Sequence, residues 1–296
     1  MKNSRLMSFL TLERWRNPPP VVAVIRLSGV IAPSGGLRGG ALAMAGLAGI
    51  FHRAFRLRGL KAVALLINSP GGSPVQSALI ASRIRALASE KNLPVYAFVE
   101  DVAASGGYWL ATAADEIWAD ANSVVGSIGV ISASFGFEDF IARHGIKRRV
   151  HTSGEHKSML DPFQPEIQDD VDRLLKFQAE IHENFKTQVR SRRGLKLKAD
   201  EAILFSGEFW SGAKAKQLGL IDGIGALRTI MRRHYGERVR LQMVSPPRRW
   251  LMSRIFGGRS ALPLDLAETG GAMGADFARG LVAAIEERAW WSRYGL

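Results

Sequence analysis

Short apolar runs rich in β-branched residues alternate along this chain with stretches whose apolar residues recur at helical spacing. Three of the runs predict buried strands: VVAVIRL at 21–27, AVALLIN at 62–68 and PVYAFVE at 94–100. Helices are predicted at 41–58, which is rich in Ala and Leu, and from Pro74 to about Ser89. Because strands and helices alternate, the pattern predicts a mainly parallel α/β core whose functional sites lie at the carboxyl ends of strands.

Further strands and a long helix are predicted beyond the third strand. The segment DVAASGG (101–107) leads into a predicted helix from about Ser105 to Ala114, and EIWA (116–119) and SIGVISA (127–133) predict strands. A helix is predicted at 165–193, because Pro165 suits its first turn and Gly194 suits its end. Its apolar stripe, which suits packing on the core or on a neighbouring subunit, consists of Ile167, Val171, Leu174, Ile181, Phe185 and Val189.

Proline-rich segments delimit the predicted folded domain, residues 21–246. Pro18-Pro19-Pro20 separates it from a leader, residues 1–20, that forms at most a short interfacial helix. Ser245-Pro246-Pro247 precedes a Gly/Ala-rich tail, residues 247–296, whose order the sequence leaves open. No stretch approaches the roughly 20 apolar residues that span a bilayer, and the leader is interrupted too soon for a signal peptide. We therefore expect no transmembrane helix, and a location in the cytoplasm or peripherally on a membrane.

The composition excludes several kinds of chemistry. The chain has no cysteine, so disulfides, thiolate zinc sites and cysteine nucleophiles are excluded. Hydrophobic residues make up 47% and charged residues 23% of the chain, as is typical of a globular protein rather than a disordered one.

The net charge of +13 is concentrated in one region. Residues 228–254 contain one acidic residue, Glu237, and eight arginines: 228, 232, 233, 238, 240, 248, 249 and 254. Such a region favours anionic partners, although a solvated basic face is the simplest interpretation. The adjoining apolar residues Trp250, Leu251, Ile255 and Phe256 favour an anionic membrane surface over nucleic acid, which we do not expect as a partner.

Two glycine-rich turns follow the second and third predicted strands. Asn68-Ser69-Pro70-Gly71-Gly72 follows one, and Ser105-Gly106-Gly107 follows the other and opens a helix. A hydroxyl beside free backbone N–H groups suits nucleophilic catalysis with a stabilised oxyanion. A serine at such a place is nevertheless more often a helix N-cap, and Gly-Gly is often a tight turn. The residues alone leave these interpretations open.

A series of motifs in a fixed order carries a resemblance to a known family. NSPGG, DVAASGGYWLA, GSIGV and SGEHKSMLDPF are followed by FSGEFWSGAKAKQLGLIDGIG, and together they resemble the signal peptide peptidase A (protease IV) family over roughly residues 21–240. The resemblance implies an α/β fold of the Clp-protease/crotonase type, built from stacked strand–strand–helix units. It implies a serine endopeptidase that cleaves extended apolar peptides such as remnant signal peptides. It also implies a ring-like homo-oligomer, a tetramer or octamer, and no cofactor or metal.

The resemblance assigns roles to individual residues. Ser105 in AASGG matches the family's nucleophile, and Lys157 in SGEHKS matches its general base. Ser127 in GSIGV matches a serine that orients the lysine. The N–H group of Gly106, with that of either Gly71 or Gly72, is expected to form the oxyanion hole.

A lysine that acts as a base carries a definite physical requirement. A free lysine has a pKa of about 10.4 and is a cation at neutral pH, so it cannot accept a proton. Its pKa must fall by roughly 2–3 units, and exclusion of water is the natural cause. We therefore expect a dry cleft around Lys157, completed by bound substrate or by a neighbouring subunit. Because some members of the family carry nucleophile and base in different halves, Lys157 could act across subunits.

Three alternatives remain at this stage. His156 could replace Lys157 as the base, although adjacent residues of an extended segment point to opposite faces. A crotonase-like acyl-CoA enzyme would use the paired N–H groups and leave Ser105 and Lys157 idle. A catalytically inactive scaffold on a membrane surface would keep only the fold. The sequence has no HExxH zinc motif or P-loop, and Ala103 excludes the GxSxG motif of α/β-hydrolases.

Overall fold

A parallel β-sheet forms the centre of the fold in the computed structural model, which describes residues 18–33, 41–245 and 288–295. Its middle strands are β1 (Val21–Ser28), β2 (Leu60–Ser69) and β3 (Val95–Ala104). They pair in parallel, with Val24 opposite Ala64 and Leu65 opposite Ala97. Most of their residues are buried, as expected of strands covered on both faces. The three strands predicted from their apolar runs are therefore confirmed.

The sheet divides beyond its middle strands. The other strands of the described part are short: β4 (Glu116–Ala119), β5 (Val124–Gly126), β6 (Phe209–Ser211), β7 (Gly223–Ile224) and β8 (Arg240–Met243). The first half of β3 pairs with β4, and its last residues, from Val102 to Ala104, pair with β5. The order is β6-β5-β3-β2-β1-β8, with β7 beside β4, and the pair β5–β6 alone is antiparallel among the described pairs.

Helices follow the strands, with bounds set by local sequence. Those described between residues 41 and 245 are α1 (Met44–Ala54), α2 (Pro74–Lys91), α3 (Gly106–Ala111), α4 (Glu138–Arg143), α5 (Gln168–Arg193), α6 (Glu201–Leu204), α7 (Gly212–Gln217) and α8 (Leu227–Tyr235), with a 3-10 turn at Gly194–Lys196. For α2, the Ser73 hydroxyl accepts from the Gln76 N–H at 3.3 Å, and Pro74 occupies the first turn. The helix ends at Asn92, whose φ of +49° is left-handed.

The two faces of the sheet bury separate apolar clusters. Alternate residues of β1 point to opposite faces, so Ile25 joins the larger cluster and Val24 the smaller one. The larger cluster includes apolar residues of α1, α2 and α3, and the smaller one includes Ile230 and Met231 of α8. Helices α2 and α3, which follow the two glycine-rich turns, therefore pack on the same face of the sheet.

Helix α5 packs on the core through one of its halves. The Phe185 ring stacks on Trp109 with a centroid distance of 4.8 Å, and Val189 is buried. At the end of the helix, the buried Arg193 guanidinium donates to the Asp222 carboxylate at 2.7 Å. In the first half, Leu175 and Phe177 are exposed. The predicted core contact of this helix therefore holds for its second half.

The structure corrects several element boundaries. The prediction of a strand at 127–133 is wrong: the strand is β5 at 124–126, and the chain then leaves the sheet. Positive φ angles at Gly126 (+117°) and Ser127 (+53°) produce this bend. The helices predicted at 41–58 and 105–114 are shorter, and α5 begins at Gln168 rather than Pro165.

Residues 1–17 of the leader and residues 247–287 of the tail lie outside the described residues, as do Arg248, Arg249 and Arg254 of the basic region. Within the described residues, no helix has the length and apolar character needed to cross a bilayer.

Candidate active site

Ser105 lies at the carboxyl end of β3, one residue before α3 begins. Its φ of +51° and ψ of −122° are unusual for a non-glycine residue, and such a backbone costs on the order of 1–3 kcal/mol. The Ser105 N–H donates to the Gly126 carbonyl at 2.8 Å, and its carbonyl accepts from the Trp109 N–H at 3.0 Å. The side chain makes no capping hydrogen bond. The hydroxyl is thus held at a strained turn without the usual role of an N-cap.

The turn after β2 lies directly against Ser105. A Cβ atom at Gly71 would stand 2.8 Å from the Ser105 Cβ and 2.9 Å from the Gly106 nitrogen, so a side chain at this position would displace the site. The φ of Gly71 is +105°, which favours glycine as well. A Cβ at Gly72 would instead collide with the carbonyl of Ile31. Gly71 therefore faces the serine, and Gly72 faces the neighbouring chain segment.

The backbone donors near Ser105 differ in their present partners. The Gly71 N–H lies 3.2 Å from the Ser69 hydroxyl oxygen, whose own proton is donated to the Gly29 carbonyl at 2.7 Å. Within the described part of the chain, the N–H of Gly106 has no hydrogen-bond acceptor, as is normal for the first turn of a helix. Two N–H groups next to one hydroxyl are what an oxyanion hole requires.

Ser127 directly follows β5, the strand that pairs with the end of β3, just as Ser105 directly follows β3. In the parallel pair β3–β5, Ala104 is opposite Gly126, so the residues that follow them are neighbours at the same sheet edge. The Ser127 N–H donates to the Glu208 carbonyl at 2.7 Å. The structure thus brings together Ser105, Ser127 and the glycine turn that the sequence singled out.

Lys157 is not part of this cluster within one copy of the chain. Its side chain is exposed in a run of turns, and its backbone N–H lies 3.4 Å from the Gly154 carbonyl. No hydrogen bond or ion pair among the described residues joins it to Ser105 or Ser127. The neighbouring His156 is exposed as well, with its Nε2 3.9 Å from the Glu155 carboxylate. Neither candidate base therefore has the dry surroundings that the chemistry requires.

A residue that sequence reasoning missed lies at the same edge. The Tyr294 hydroxyl is 3.3 Å from the Ser127 Oγ and 3.4 Å from the Pro70 carbonyl oxygen. Tyr294 belongs to the tail whose order the sequence left open, and the one available signal was the amphipathic, aromatic character of its last residues. In the described ranges, no group of three or more His, Asp or Glu side chains is placed to hold a metal ion.

Comparisons with known proteins agree with this architecture. A solved variant of a membrane-bound stomatin-specific protease, in complex with a substrate peptide, covers 81% of this chain with a TM-score of 0.50 and 15% identity. Protease 4 of Haemophilus influenzae is 34% identical over 194 residues, which are 61% of this chain and 29% of that protein. A Brucella abortus protein named Na(+)/H(+) antiporter NhaA is 47% identical over 292 residues, which are 98% of this chain. Those residues are 39% of that protein, so its name describes a much longer chain.

The fold and the serine-bearing turn define an α/β protein of the Clp-protease type, as predicted. The profile of Peptidase family S49 matches residues 87–238, more than half of the 296 residues. The chain belongs to peptidase family S49, which confirms the resemblance to the protease IV family. Ser105, Ser127 and Lys157 lie inside the matched residues, and Gly71 and Gly72 precede them. The chain spans less than half the length of these two curated relatives.

Proposed function

We propose that the chain is a serine endopeptidase with Ser105 as its nucleophile. The observation that carries this proposal is the strained position of Ser105 between the Gly71 turn and Ser127, in a chain of family S49. A peptide bound there would present its carbonyl to the Ser105 hydroxyl, which makes no capping hydrogen bond with the helix. The proposed substrates, from the resemblance of the chain, are extended apolar peptides such as remnants of signal peptides.

The reaction proceeds through an acyl-enzyme. The Ser105 oxygen attacks the peptide carbonyl carbon, and its proton passes to the neutral amine of Lys157. The tetrahedral intermediate collapses, the C–N bond breaks, and the leaving amine takes the proton from Lys157. Water then attacks the ester, gives a proton to Lys157 and releases the acid while Ser105 regains its hydrogen. Ser127 is proposed to accept a hydrogen bond from the lysine and so orient it.

The oxyanion hole is proposed to consist of the N–H groups of Gly106 and Gly71. Gly71 is favoured over Gly72 because its Cα approaches Ser105 closely, whereas Gly72 packs on Ile31. The 3.2 Å contact between the Gly71 N–H and Ser69 is long for a hydrogen bond, so a negatively charged oxygen would compete for this donor.

Lys157 is proposed to reach Ser105 of a neighbouring copy. It lies in the 128–167 segment between β5 and α5, which carries large exposed apolar side chains: Ile131, Phe135, Phe137, Phe140, Ile146, Met159 and Ile167. Large exposed apolar side chains concentrated in one segment favour an interaction site. Burying it against a second copy would also exclude water from Lys157, which a base requires. A ring-like homo-oligomer, tetramer or octamer, would repeat this contact around an axis.

The 128–167 segment has its own internal contacts, which keep it in a defined shape. The Phe137 N–H donates to the Pro162 carbonyl at 2.6 Å, and the rings of Phe137 and Phe163 stack with centroids 5.7 Å apart. Arg148 donates to the Asp161 carboxylate at 2.7 Å, and this hydrogen bond lowers the pKa of the Asp161 carboxyl. A segment with such contacts can present Lys157 to a neighbour in a fixed geometry.

A peripheral contact with anionic membranes is proposed as well, through the basic region. On α8, Ile230 and Met231 are buried under the sheet, while Arg228, Arg232 and Arg233 are exposed. Because the apolar face of this helix is already used in packing, its contact with lipid would be electrostatic rather than inserted.

A fluorophosphonate probe tests the nucleophile. We expect it to label the wild-type chain and to leave Ser105→Ala unlabelled, with equal thermal unfolding temperatures for the two. Labelling of Ser105→Ala at the same rate would contradict the proposal. The two alternatives raised by the sequence predict other results: an acyl-CoA enzyme would hydrate a CoA thioester, and an inactive scaffold would neither label nor hydrolyse peptides.

A further inference from the structure

The segment 288–295 lies over the candidate active site. Residues 288–292 are helical, and the turn that follows directs the Tyr294 side chain into the edge where β2, β3 and β5 end. The guanidinium of Arg293 packs on the Trp290 ring at 5.3 Å from its centroid, which stabilises this helical segment. The side chain of Tyr294 is partly buried there.

Tyr294 contacts both walls that flank Ser105. Its hydroxyl lies 3.4 Å from the Pro70 carbonyl, in the turn on one side, and 3.3 Å from the Ser127 Oγ on the other side. Its ring packs edge-on against Phe209 with a centroid distance of 5.3 Å. Phe209 is held beside Ser127 because it pairs with Gly126 in the antiparallel ladder β5–β6. The side chain therefore bridges the space that a peptide must enter to reach Ser105.

The three contacts match the chemistry of a phenol. The phenol hydroxyl is placed to donate its proton to the Pro70 carbonyl or to the Ser127 Oγ, and Phe209 offers an apolar ring for the edge-on contact. A phenylalanine would keep the ring contact and lose both polar ones. An aliphatic side chain would lose the edge-on aromatic contact as well.

We propose that Pro70, Ser127 and Phe209 form a binding site for the side chain of a tyrosine in a peptide, and that Tyr294 occupies it as an intramolecular competitor of substrate. That the molecule displaced by Tyr294 is a peptide substrate rests on the proposed function. Binding of a segment of the same chain is intramolecular, so even a weak contact keeps the site partly filled. While Tyr294 is bound, the Ser127 hydroxyl contacts the phenol instead of Lys157. Release of the segment is thus required for activity.

The test compares full-length wild type with Tyr294→Phe and Tyr294→Ala. Tyr235→Phe is the matched control, because its hydroxyl contacts Tyr96 at 3.2 Å and lies away from the site. For Tyr294→Ala we expect the KM of an extended fluorogenic peptide to fall about three- to tenfold and fluorophosphonate labelling to accelerate by a similar factor, because an apparent affinity is reduced by the fraction of free sites. Tyr294→Phe should lie between this variant and wild type, and Tyr235→Phe should match wild type. Equal KM and labelling rates in all four chains would overturn the proposal.

A second measurement keeps the inference separate from the proposed function. Amide hydrogen exchange is followed in residues 69–73 and 127–129 of the Ser105→Ala chain, with and without Tyr294→Ala. Faster exchange in the double variant, reversed by adding a synthetic peptide RAWWSRYG but not RAWWSRAG, supports the site even if no peptide is ever cleaved. Unchanged exchange would refute the site. If the exchange effect is present but the wild-type chain hydrolyses no peptide, only the protease proposal is refuted.

Discussion

Ser105 and Ser127 follow a matched pair of residues on adjacent parallel strands, and both adopt a positive φ, +51° and +53°. The N–H of Ser105 donates to the carbonyl of Gly126, the residue before Ser127, at 2.8 Å. The position of one serine is therefore set by the backbone that carries the other. This backbone hydrogen bond links the two serines at one sheet edge.

Mixing two inactive variants tests whether Lys157 acts between copies. Ser105→Ala and Lys157→Ala should each lose at least about a thousandfold in kcat, as is usual when a nucleophile or its base is removed. In assemblies formed from equal amounts of the two variants, about a quarter of the sites should be active. Half of the copies carry an intact Ser105, and half of their neighbours carry an intact Lys157. Activity is measured with a peptide substrate after mixing under conditions that allow subunits to exchange.

The control for this experiment is Lys147→Ala, an exposed lysine of the same segment, which should keep activity alone and in mixtures. An inactive mixture of the two variants, with mixed assemblies demonstrated by mass spectrometry, would mean that Lys157 does not reach Ser105 of a neighbour.

Replacement of Gly71 by alanine should inactivate the site through steric conflict. The added Cβ would meet the Ser105 Cβ at 2.8 Å, which real contacts do not allow, so the turn or the serine must move. We expect a loss of about a hundredfold or more in kcat/KM, since displacements near 1 Å have effects of that size. The comparison is Gly145→Ala, which shares a positive φ (+64°) but has no atom within 4 Å of the added Cβ. Equal activities of the two variants would contradict this account.

A charge on the 128–167 segment should disrupt assembly. Phe135 is 79% exposed, and Phe135→Glu would place a carboxylate in the proposed contact between copies. We expect smaller particles in sedimentation velocity and reduced peptide cleavage, with the unfolding temperature of the separated chain unchanged. Leu195→Glu serves as the control because Leu195 is fully exposed and lies in the 3-10 turn after α5. A Phe135→Glu chain of wild-type size and activity would exclude this surface as the contact.

Acid should weaken the anchor at the end of α5. Burial raises the pKa of Asp222, but hydrogen bonds from Arg193, Lys196 and the Ile117 N–H outweigh it, so the pKa lies below its usual value. A carboxyl with a lowered pKa stabilises the fold above its unfolded-state pKa, and this stability is lost as the pH falls through the folded-state pKa. Asp222→Asn should therefore lower the free energy of unfolding at pH 7 by about 3 kcal/mol, because it leaves Arg193 unpaired, and flatten its acid dependence.

The measurement is urea unfolding at several pH values. Asp169→Asn is the comparison: Asp169 pairs with Arg173 on the exposed surface, where an ion pair contributes roughly 0–1 kcal/mol. Similar losses of unfolding free energy in the two variants would show that the Asp222–Arg193 pair contributes no more than an exposed ion pair.

Membrane contact, if electrostatic, should depend on salt. The wild-type chain should pellet with vesicles of anionic lipid at low salt and be released near 1 M salt, where the Debye length is about 3 Å. Reversing the charge of Arg248 and Arg249 should reduce pelleting. Co-sedimentation that is insensitive to both salt and charge reversal would count against the proposed contact.

The strands and the glycine turns could be predicted because their signals are local. Continuous apolar runs require burial on both faces of the sheet, and the SPGG and SGG turns come directly after two of these runs in the sequence. The same reasoning misplaced the strand at 127–133, because the apolar run continues after Gly126 and Ser127 have already turned the chain out of the sheet. Tyr294 was missed for a different reason: its contacts with Pro70 and Ser127 join residues far apart in sequence. The proposed approach of Lys157 to Ser105 of a neighbouring copy involves a second chain, which no local pattern records.

The hydrogen bond from the Ser127 N–H to the Glu208 carbonyl has a consequence for biosynthesis. Ser105 and Ser127 leave the ribosome long before Glu208 does, so a nascent chain carries both hydroxyls before the strand that fixes their edge exists. The strand pair β5–β6 closes only when residues 209–211 have been translated. The sheet edge that carries both serines is thus complete only after nearly all of the folded domain has been synthesised.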